Sequence, residues 1–438
     1  MYNIEIECIN SLVGIGTPFS TPALLNSALN KVIKFVLSGL QETNYPVAYS
    51  EQKMVVYDYM ELLWNNGKKK KESAKEKEQS SQRLRVKPKN FIGPSSYTLE
   101  VQNIMSTTED SNIPNIRTNY TVTDKADGDR KLLFIAPETG KIYLITTNMA
   151  VQFSGAVTRN KDLFNTLIDG EHILYNKNKK FINLYTAFDI YYLNGVDFRA
   201  KQFIPTKTDD LPTNFRLPLL IDVIKKMSPE SIIKNSNSTI LLPSPLRIEH
   251  KTFNSSSHNT IFNACNSILK KEQEGLFEYH TDGLIFTPTN LGVGANKEGE
   301  MIKPLGTTWR HSFKWKPTEL NTIDFLISIK KMENGSDYVG NTFENGIDTK
   351  QSSQITQYKT VVLRVGFDEN QHGFINPCQD IIDDNIPVYS ENLYDDDSYK
   401  PVQFFPTQPS DTKAGIANIL LQNGKGDDKV MLTEENEV

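Results

Sequence analysis

Short apolar runs separated by polar turns dominate the middle of this chain. Between Val86 and Pro317 they read KLLFIA, KIYLIT, HILYN, FINLYTAFDIYYL and GLIFTP, rich in β-branched and aromatic residues, and we expect strands there. FRLPLLIDVIKKM and NTIFNACNSILKKEQEG lie among them and are helical candidates. Strands and helices mixed in this way, with no internal repeat, predict an α+β domain. After Pro317 the runs TIDFLISIKK, YKTVVLRVGF and KPVQFFP are strand-like and separated by polar loops, the signature of a small all-β module. Its middle is acidic, with Asp383, Asp384, Asp395, Asp396 and Asp397.

The flanks divide the chain further. Residues 1–64 hold a strand-like start, MYNIEIEC, and two helical segments, ALLNSALNKVIKFVLSGLQ and EQKMVVYDYMELLW. The first spaces Leu25, Leu29, Val32 and Val36 for one helical face, with Gly39 near its end, and neither segment has enough surrounding sequence for a core of its own. Residues 65–85 are almost free of apolar side chains and rich in Lys, Glu, Ser and Gln, so a solvated linker or loop is expected. The expected division is therefore 1–64, 65–85, 86–317 and 318–438. A chain of 438 residues has room for two or three domains. Its net charge of −5 means that any polyanion site must be a local basic surface. Cys8, Cys265 and Cys378 are far apart and odd in number, which gives no disulfide framework and fits a reducing compartment. With no membrane-length apolar stretch and no signal-peptide layout, the expectation is a soluble intracellular protein.

The chemistry concentrates around TDKADGDRKLLFI. Lys125 stands between strand-like residues and a glycine turn, a good place for a nucleophile, since an amine attacks when desolvation or neighbouring cations depress its pKa. Asp127 and Gly128 make the turn, with Gly128 allowing close approach of a phosphate, and Arg130 offers a rigid fork of donors. Farther on, IDGEHIL places Asp169, Gly170 and Glu171 at a strand edge, where a carboxylate would take a ribose hydroxyl or a metal-bound water. FDIYYLNGVDFR carries Phe188 and Asp189, an aromatic face suited to a purine, while Tyr191, Tyr192 and Phe198 read as core. EYHTDGLIFTP sets Asp282 before a glycine and a strand, suited to a divalent cation over a phosphate. HSFKWKPTEL puts Lys314 and Lys316 on one strand face, two ammonium groups for an α-phosphate, with Trp315 turned to the core. His172, His250, His280 and His311 lack metal-ligand spacing, and His311 is expected on an exposed loop.

In this order the five segments resemble the covalent nucleotidyltransferase superfamily, which comprises RNA capping guanylyltransferases and ATP-dependent ligases. KWKP followed by TIDFLI, together with FIGPSSYTLEVQNI and TDGLIFTP, resembles the capping enzymes of large DNA viruses from about Phe91 onward. The resemblance implies an ATP-grasp-like nucleotidyltransferase domain of mixed antiparallel sheets and helices, followed by a partial OB-fold β-barrel. It implies that Lys125 forms a phosphoramidate with GMP, that Arg130 and Glu171 contact the ribose, and that Phe188 stacks on guanine. Asp282 would serve Mg²⁺ or Mn²⁺, and Lys314 and Lys316 would bind the α-phosphate of GTP. The acceptor would be 5′-diphosphate RNA. Other capping domains or a methyltransferase subunit are implied as partners, with no membrane, in the host cytoplasm or the virion. An ATP-dependent ligase using the same lysine and an inactive RNA-binding module are the competing readings.

Two further expectations concern the ends. Glu5 and Glu7 would share one strand face and a metal, as in the last strand of a tunnel-type RNA triphosphatase, with only the tail of that domain present. At the other end DDKVML lacks the arginines of the family's final lid motif, so a defect in the GTP-dependent first step is expected. The chain should release no phosphate from triphosphate-ended RNA. Measurable release in a malachite green assay would overturn that expectation.

Overall fold

The computed structural model describes residues 5–64, 74–106, 113–205, 211–233, 242–255, 260–300, 308–320, 325–343, 355–367, 400–404 and 415–421. The chain divides into two compact units, Met1–Leu320 and Asn321–Val438. The first unit contains α1 (Pro22–Leu40), α2 (Tyr49–Trp64), α3 (Ala74–Arg83), β1 (Ser95–Thr98), β2 (Tyr120–Ala126), β3 (Asp129–Ile135), β4 (Lys141–Thr146), β5 (Val151–Val157), β6 (Thr166–Tyr175) and β7 (Phe181–Leu193). It continues with β8 (Val196–Asp197), α4 (Arg216–Met227), β9 (Glu230–Ser231), β10 (Arg247–His250), β11 (Asn254–Ser255), α5 (Ile261–Gln273), β12 (Thr281–Pro288) and β13 (Thr308–Trp315).

These strands form two sheets. One has the order β1-β13-β12-β2-β11, and the other β10-β7-β6-β3-β4-β5-β9 with β8 beside β7. The β1–β13 and β10–β7 pairs are parallel and the remaining pairs antiparallel. The larger sheet is buried on both faces, which explains why KLLFIA and KIYLIT are continuously apolar instead of alternating. On β3, Leu132 and Phe134 join one core with Tyr59, Met60 and Leu62 of α2. Leu133 and Ile135 join the opposite core with Leu219, Leu220 and Val223 of α4. The smaller sheet packs Val122, Leu284 and Phe286 against Ile261 and Ile268 of α5.

The amino-terminal flank differs from expectation. Glu5 and Glu7 are exposed and outside any strand, because alternation makes a strand only beside a hydrogen-bonded neighbour, and this segment has none among the described residues. Helix α1 forms, with Thr21 accepting a hydrogen bond from the Leu24 amide and Pro22 opening the first turn. Val32, expected on its apolar face, is 44% exposed. Helix α2 packs into the larger sheet's core instead of standing apart. Part of the expected solvated linker is helix α3, whose Lys77 reaches the buried Asp58 of α2 at 2.8 Å. Residues 65–73 lie outside the described residues.

In the second unit β14 (Leu326–Ile329), β15 (Val339–Phe343), β17 (Lys400–Gln403) and β18 (Ile416–Leu421) all pair antiparallel with the long β16 (Ile355–Phe367). The acidic run at 383–397, Cys378 and DDKVML fall outside the described residues. Cys8 and Cys265 are free thiols.

Two irregularities in the ladders place side chains where a regular pleat would not. Between β2 and β12 the register passes from Ala126↔Thr281 to Asp124↔Leu284, so Asp282 and Gly283 together oppose Lys125 in a β-bulge. Between β6 and β7 it passes from Asp169↔Asp189 to Gly170↔Ala187, leaving Phe188 as the extra residue, and Tyr191 is likewise extra between Ile190 and Tyr192. Gly283 has φ +144°, and a Cβ there would meet the Trp315 carbonyl oxygen at 1.9 Å. Gly283→Ala should therefore cost about 1–3 kcal/mol of stability. Urea unfolding checks this, and an unchanged midpoint would contradict the role given to the bulge.

Candidate active site

The turn after β2 is where the chain leaves one sheet and enters the other. Lys125 is the penultimate residue of the smaller sheet's β2 and Arg130 the second residue of the larger sheet's β3, and both line one cleft. The Asp127 amide donates to the His280 carbonyl at 2.9 Å, which ties the turn to the start of β12. The side chains of Lys125, Arg130, Glu171, Phe188, Lys251 and Lys314 line a cavity of about 270 Å³. The expected strand-face pairing of Lys314 and Lys316 is modified, because β13 ends at Trp315 and Lys316 follows it. Trp315 packs against the smaller sheet's core, as expected.

One carboxylate organises the cations. Lys125 Nζ donates to both oxygens of Asp282, at 2.6 and 2.9 Å. Lys316 Nζ lies 2.8 Å from Asp282 Oδ2. Burial would raise the Asp282 carboxyl, but the hydrogen bonds and charges of Lys125 and Lys316 outweigh it and hold the group below its ordinary value. Among the described residues no group of three or more His, Cys, Asp and Glu gathers for a metal ion. One carboxylate together with substrate phosphate oxygens is nevertheless a donor set that a magnesium-type cation accepts, and Asp282 fits it.

Arg130 is held by the protein. Its Nε and one terminal nitrogen donate to the two oxygens of Asp169 at 3.1 and 2.5 Å, and the other terminal nitrogen donates to the Pro94 carbonyl at 2.8 Å. Asp169 is fully buried and also accepts from the Tyr191 hydroxyl. The guanidinium centre sits 5.7 Å from the Phe91 ring centroid and 5.5 Å from that of Phe188. Gly93 is needed for this approach, since a Cβ there would come within 2.7 Å of the guanidinium. The Asp169-Gly170-Glu171 string is not at a strand edge but within β6, paired to β3 and β7 on its two sides. Gly170 is required by packing, as its Cβ would meet the Tyr185 ring at 2.5 Å.

Several expected site residues fall elsewhere. Asp127 is exposed on the turn, and neither it nor Gly128 lines the cavity beside Lys125. A Cβ on Gly128 would meet the His172 carbonyl oxygen at 2.8 Å, so glycine serves contact with β6. Asp189 does border the cavity, but it is buried and accepts from Arg216 Nε at 2.8 Å. His311 is half-buried on β13 instead of lying on an exposed loop. His172 is buried between Lys131 and Asn183, and burial and the Lys131 charge push it down to about 4.

Residues 67–317 match the family described as mRNA capping enzyme, catalytic domain. This chain belongs to that family. The probable mRNA-capping enzyme of Acanthamoeba polyphaga mimivirus is 27% identical over 409 residues, 86% of this chain and 30% of that protein. The mRNA-capping enzyme of African swine fever virus (strain Badajoz 1971 Vero-adapted) is 26% identical over 209 residues, 48% of this chain and 18% of its own length. The mouse mRNA-capping enzyme is 26% identical over 275 residues, 58% of this chain and 40% of its own length. The chain thus spans less than half the length of these relatives. Among solved structures, the ligase domain of M. tuberculosis LigD overlaps 64% of this chain and 71% of its own at a TM-score of 0.30 and 10% identity, a likeness that carries no fold assignment.

Lys251 completes the capping-enzyme cavity without any signal in the sequence. It follows β10 in an ordinary HKTF string, yet it is 6% exposed and its Nζ donates to the Asp124 carbonyl at 2.7 Å and side chain at 3.0 Å. Tyr279 donates to the same carboxylate at 3.1 Å. Lys251 also acts on Glu171. Burial raises the Glu171 carboxyl to about 7, against the charges of Lys251 and Arg130. A folded value above the unfolded 4.5 gives a stability contribution that is present below about pH 4.5 and lost as pH rises through about 7. Glu171→Gln removes that loss. Relative to the unsubstituted protein, its melting temperature should gain between about pH 5 and about pH 8, and a pH-independent difference would contradict the assignment.

Proposed function

We propose that this chain is an mRNA guanylyltransferase of viral type, carrying GMP on Lys125. The observation that carries the reading is Lys125 held with Lys316 on the single carboxylate of Asp282, beside a cavity lined by Phe188, Glu171 and Lys314. In the first step Lys125 Nζ attacks the α-phosphorus of GTP. A P–N bond forms, the bond to the bridging oxygen breaks, pyrophosphate leaves, and the amine's protons pass to solvent. In the second step a terminal oxygen of diphosphate-ended RNA attacks the same phosphorus, the P–N bond breaks, and the Lys125 nitrogen takes its protons back from solvent.

The residues divide this work. The ammonium of Lys125 paired with Asp282 has no lone pair, so attack requires Lys125 to lose a proton. Asp282 is the residue that would hold Mg²⁺ or Mn²⁺, which when bound neutralises triphosphate charge. Lys314 and Lys316 would contact the α-phosphate as point charges. Phe188, aimed into the cavity by its bulge, would stack on the base, and Glu171 would accept from the ribose. Asp127, Gly128 and Arg130 act in this reading as positioning residues, with Arg130 bracing Phe188. Residues 86–317 would be the nucleotidyltransferase domain of ATP-grasp-like design. Residues 318–438 would be the OB-fold, supported by the antiparallel arrangement around β16.

Incubation with α-labelled GTP and Mg²⁺ tests the reading. Covalent label should attach to the unsubstituted protein, even at the reduced rate expected from DDKVML, and fall at least a hundredfold in Lys125→Ala. Label from ATP in place of GTP would make it a ligase-type enzyme, and label from neither would leave an RNA-binding module.

A further inference from the structure

A second, larger cavity adjoins the first. It measures about 950 Å³ and lies between the end of α1, the start of α2, the segment after α3, and the 146–152 turn between β4 and β5. Arg130 lines both cavities, so the groove opens beside the cleft that holds Lys125. Its lining carries Lys53, Arg85 and Lys131 against Glu42 and Asp129, while the charge of Arg130 is met by Asp169. Lys131 is 4% exposed, and among the described residues its ammonium bonds closely only to neutral partners, Gln152 Oε1 at 2.8 Å and His172 Nδ1 at 3.0 Å, with Asp129 at 3.9 Å. Arg85 is exposed and makes no ion pair among the described residues. On the groove's wall Tyr49 is 70% exposed, with Lys53 Nζ 4.9 Å from its ring centroid.

We propose that this groove receives the 5′ segment of a single-stranded RNA acceptor and delivers its diphosphate end past Arg130 to Lys125. The inference rests on the guanylyltransferase reading for the identity of the acceptor. An open aromatic ring beside cations is the arrangement that holds successive bases and phosphates without reading sequence. Lys53 and the exposed Arg85 are the cations placed to meet phosphates, in a chain that is acidic as a whole. The position of the groove gives the acceptor a course separate from the nucleotide cavity, so GMP and RNA need not compete for the same space. An acidic peptide would use the same charges but would have less need of the exposed Tyr49 ring.

Fluorescence anisotropy of the full chain with a fluorescent 5′-diphosphate oligoribonucleotide of about ten residues tests this. Arg85→Glu combined with Lys53→Glu should weaken binding at least tenfold. Loss of two phosphate contacts should also flatten the salt dependence, by about 1.4 in logarithmic slope. Tyr49→Ala should weaken binding about tenfold with the slope retained. Lys53 donates to the Gln82 carbonyl at 3.0 Å, so its substitution risks disturbing α3, and Arg85→Glu alone serves as the second variant, with thermal melting to show each is folded. Unchanged RNA affinity and salt slope in folded Arg85→Glu and Tyr49→Ala would overturn the proposal and leave the groove to an acidic peptide. GTP labelling of the unsubstituted chain reports separately. Label with normal RNA binding by the variants sinks the groove alone, while weakened RNA binding without label sinks guanylyl transfer alone.

Discussion

Two ammonium groups and one carboxylate, Lys125, Lys316 and Asp282, form the contact on which the cleft depends. Like charges so close are tolerable only with an anion between them. Asp282 occupies that position because β12 bulges opposite Lys125, and the bulge exists because Gly283 adopts a conformation closed to other residues. The local backbone therefore decides the electrostatics. A regular ladder would have put a single residue opposite Lys125, with no spare residue to turn toward it.

The same device recurs across the cleft. Phe188 and Tyr191 are both extra residues in the β6–β7 ladder, and each faces the site, one lining the cavity and the other hydrogen-bonding Asp169. Asp169 in turn holds Arg130, whose guanidinium lies near Phe188 and Phe91. A buried aromatic and ionic brace thus supports the larger sheet's wall, while the Asp282 contact supports the smaller sheet's wall. The first brace is made of residues that do not themselves react, whereas the second includes Lys125, the proposed nucleophile.

Much of this was legible in the sequence. The apolar runs marked β3, β4, β7 and β12, and periodicity marked α1, α2, α4 and α5, because burial pattern follows secondary-structure period. Lys125, Asp282, Lys314 and Phe188 could be singled out since unusual residues stood beside glycines or strands. What escaped was set by long-range pairing. Lys251 meets Asp124 only when β10 and β2 come together from distant parts of the chain. The Asp169–Arg130 pair depends on the β3–β6 register, where Arg130 faces Glu171 and Leu132 faces Asp169. Glu5 and Glu7 misled for the converse reason, as an alternating string without a neighbour to pair with. Helix α3 was hidden by a composition that resembles a linker, and Lys77 anchors it through one buried partner, Asp58.

The crossing from one sheet to the other at Asp127 and Gly128 has a consequence for how such a chain can vary in length. Strand side chains alternate between faces, so register errors of a single residue exchange the two faces entirely. One residue added or deleted between Lys125 and β3 would turn Arg130 away from the cleft and bring Asp129 or Lys131 in its place. The loops around the two sheets have no comparable restriction. Insertions and deletions should therefore accumulate in those loops over evolutionary time, while the spacing from Lys125 to Arg130 stays constant even where the residues between them change.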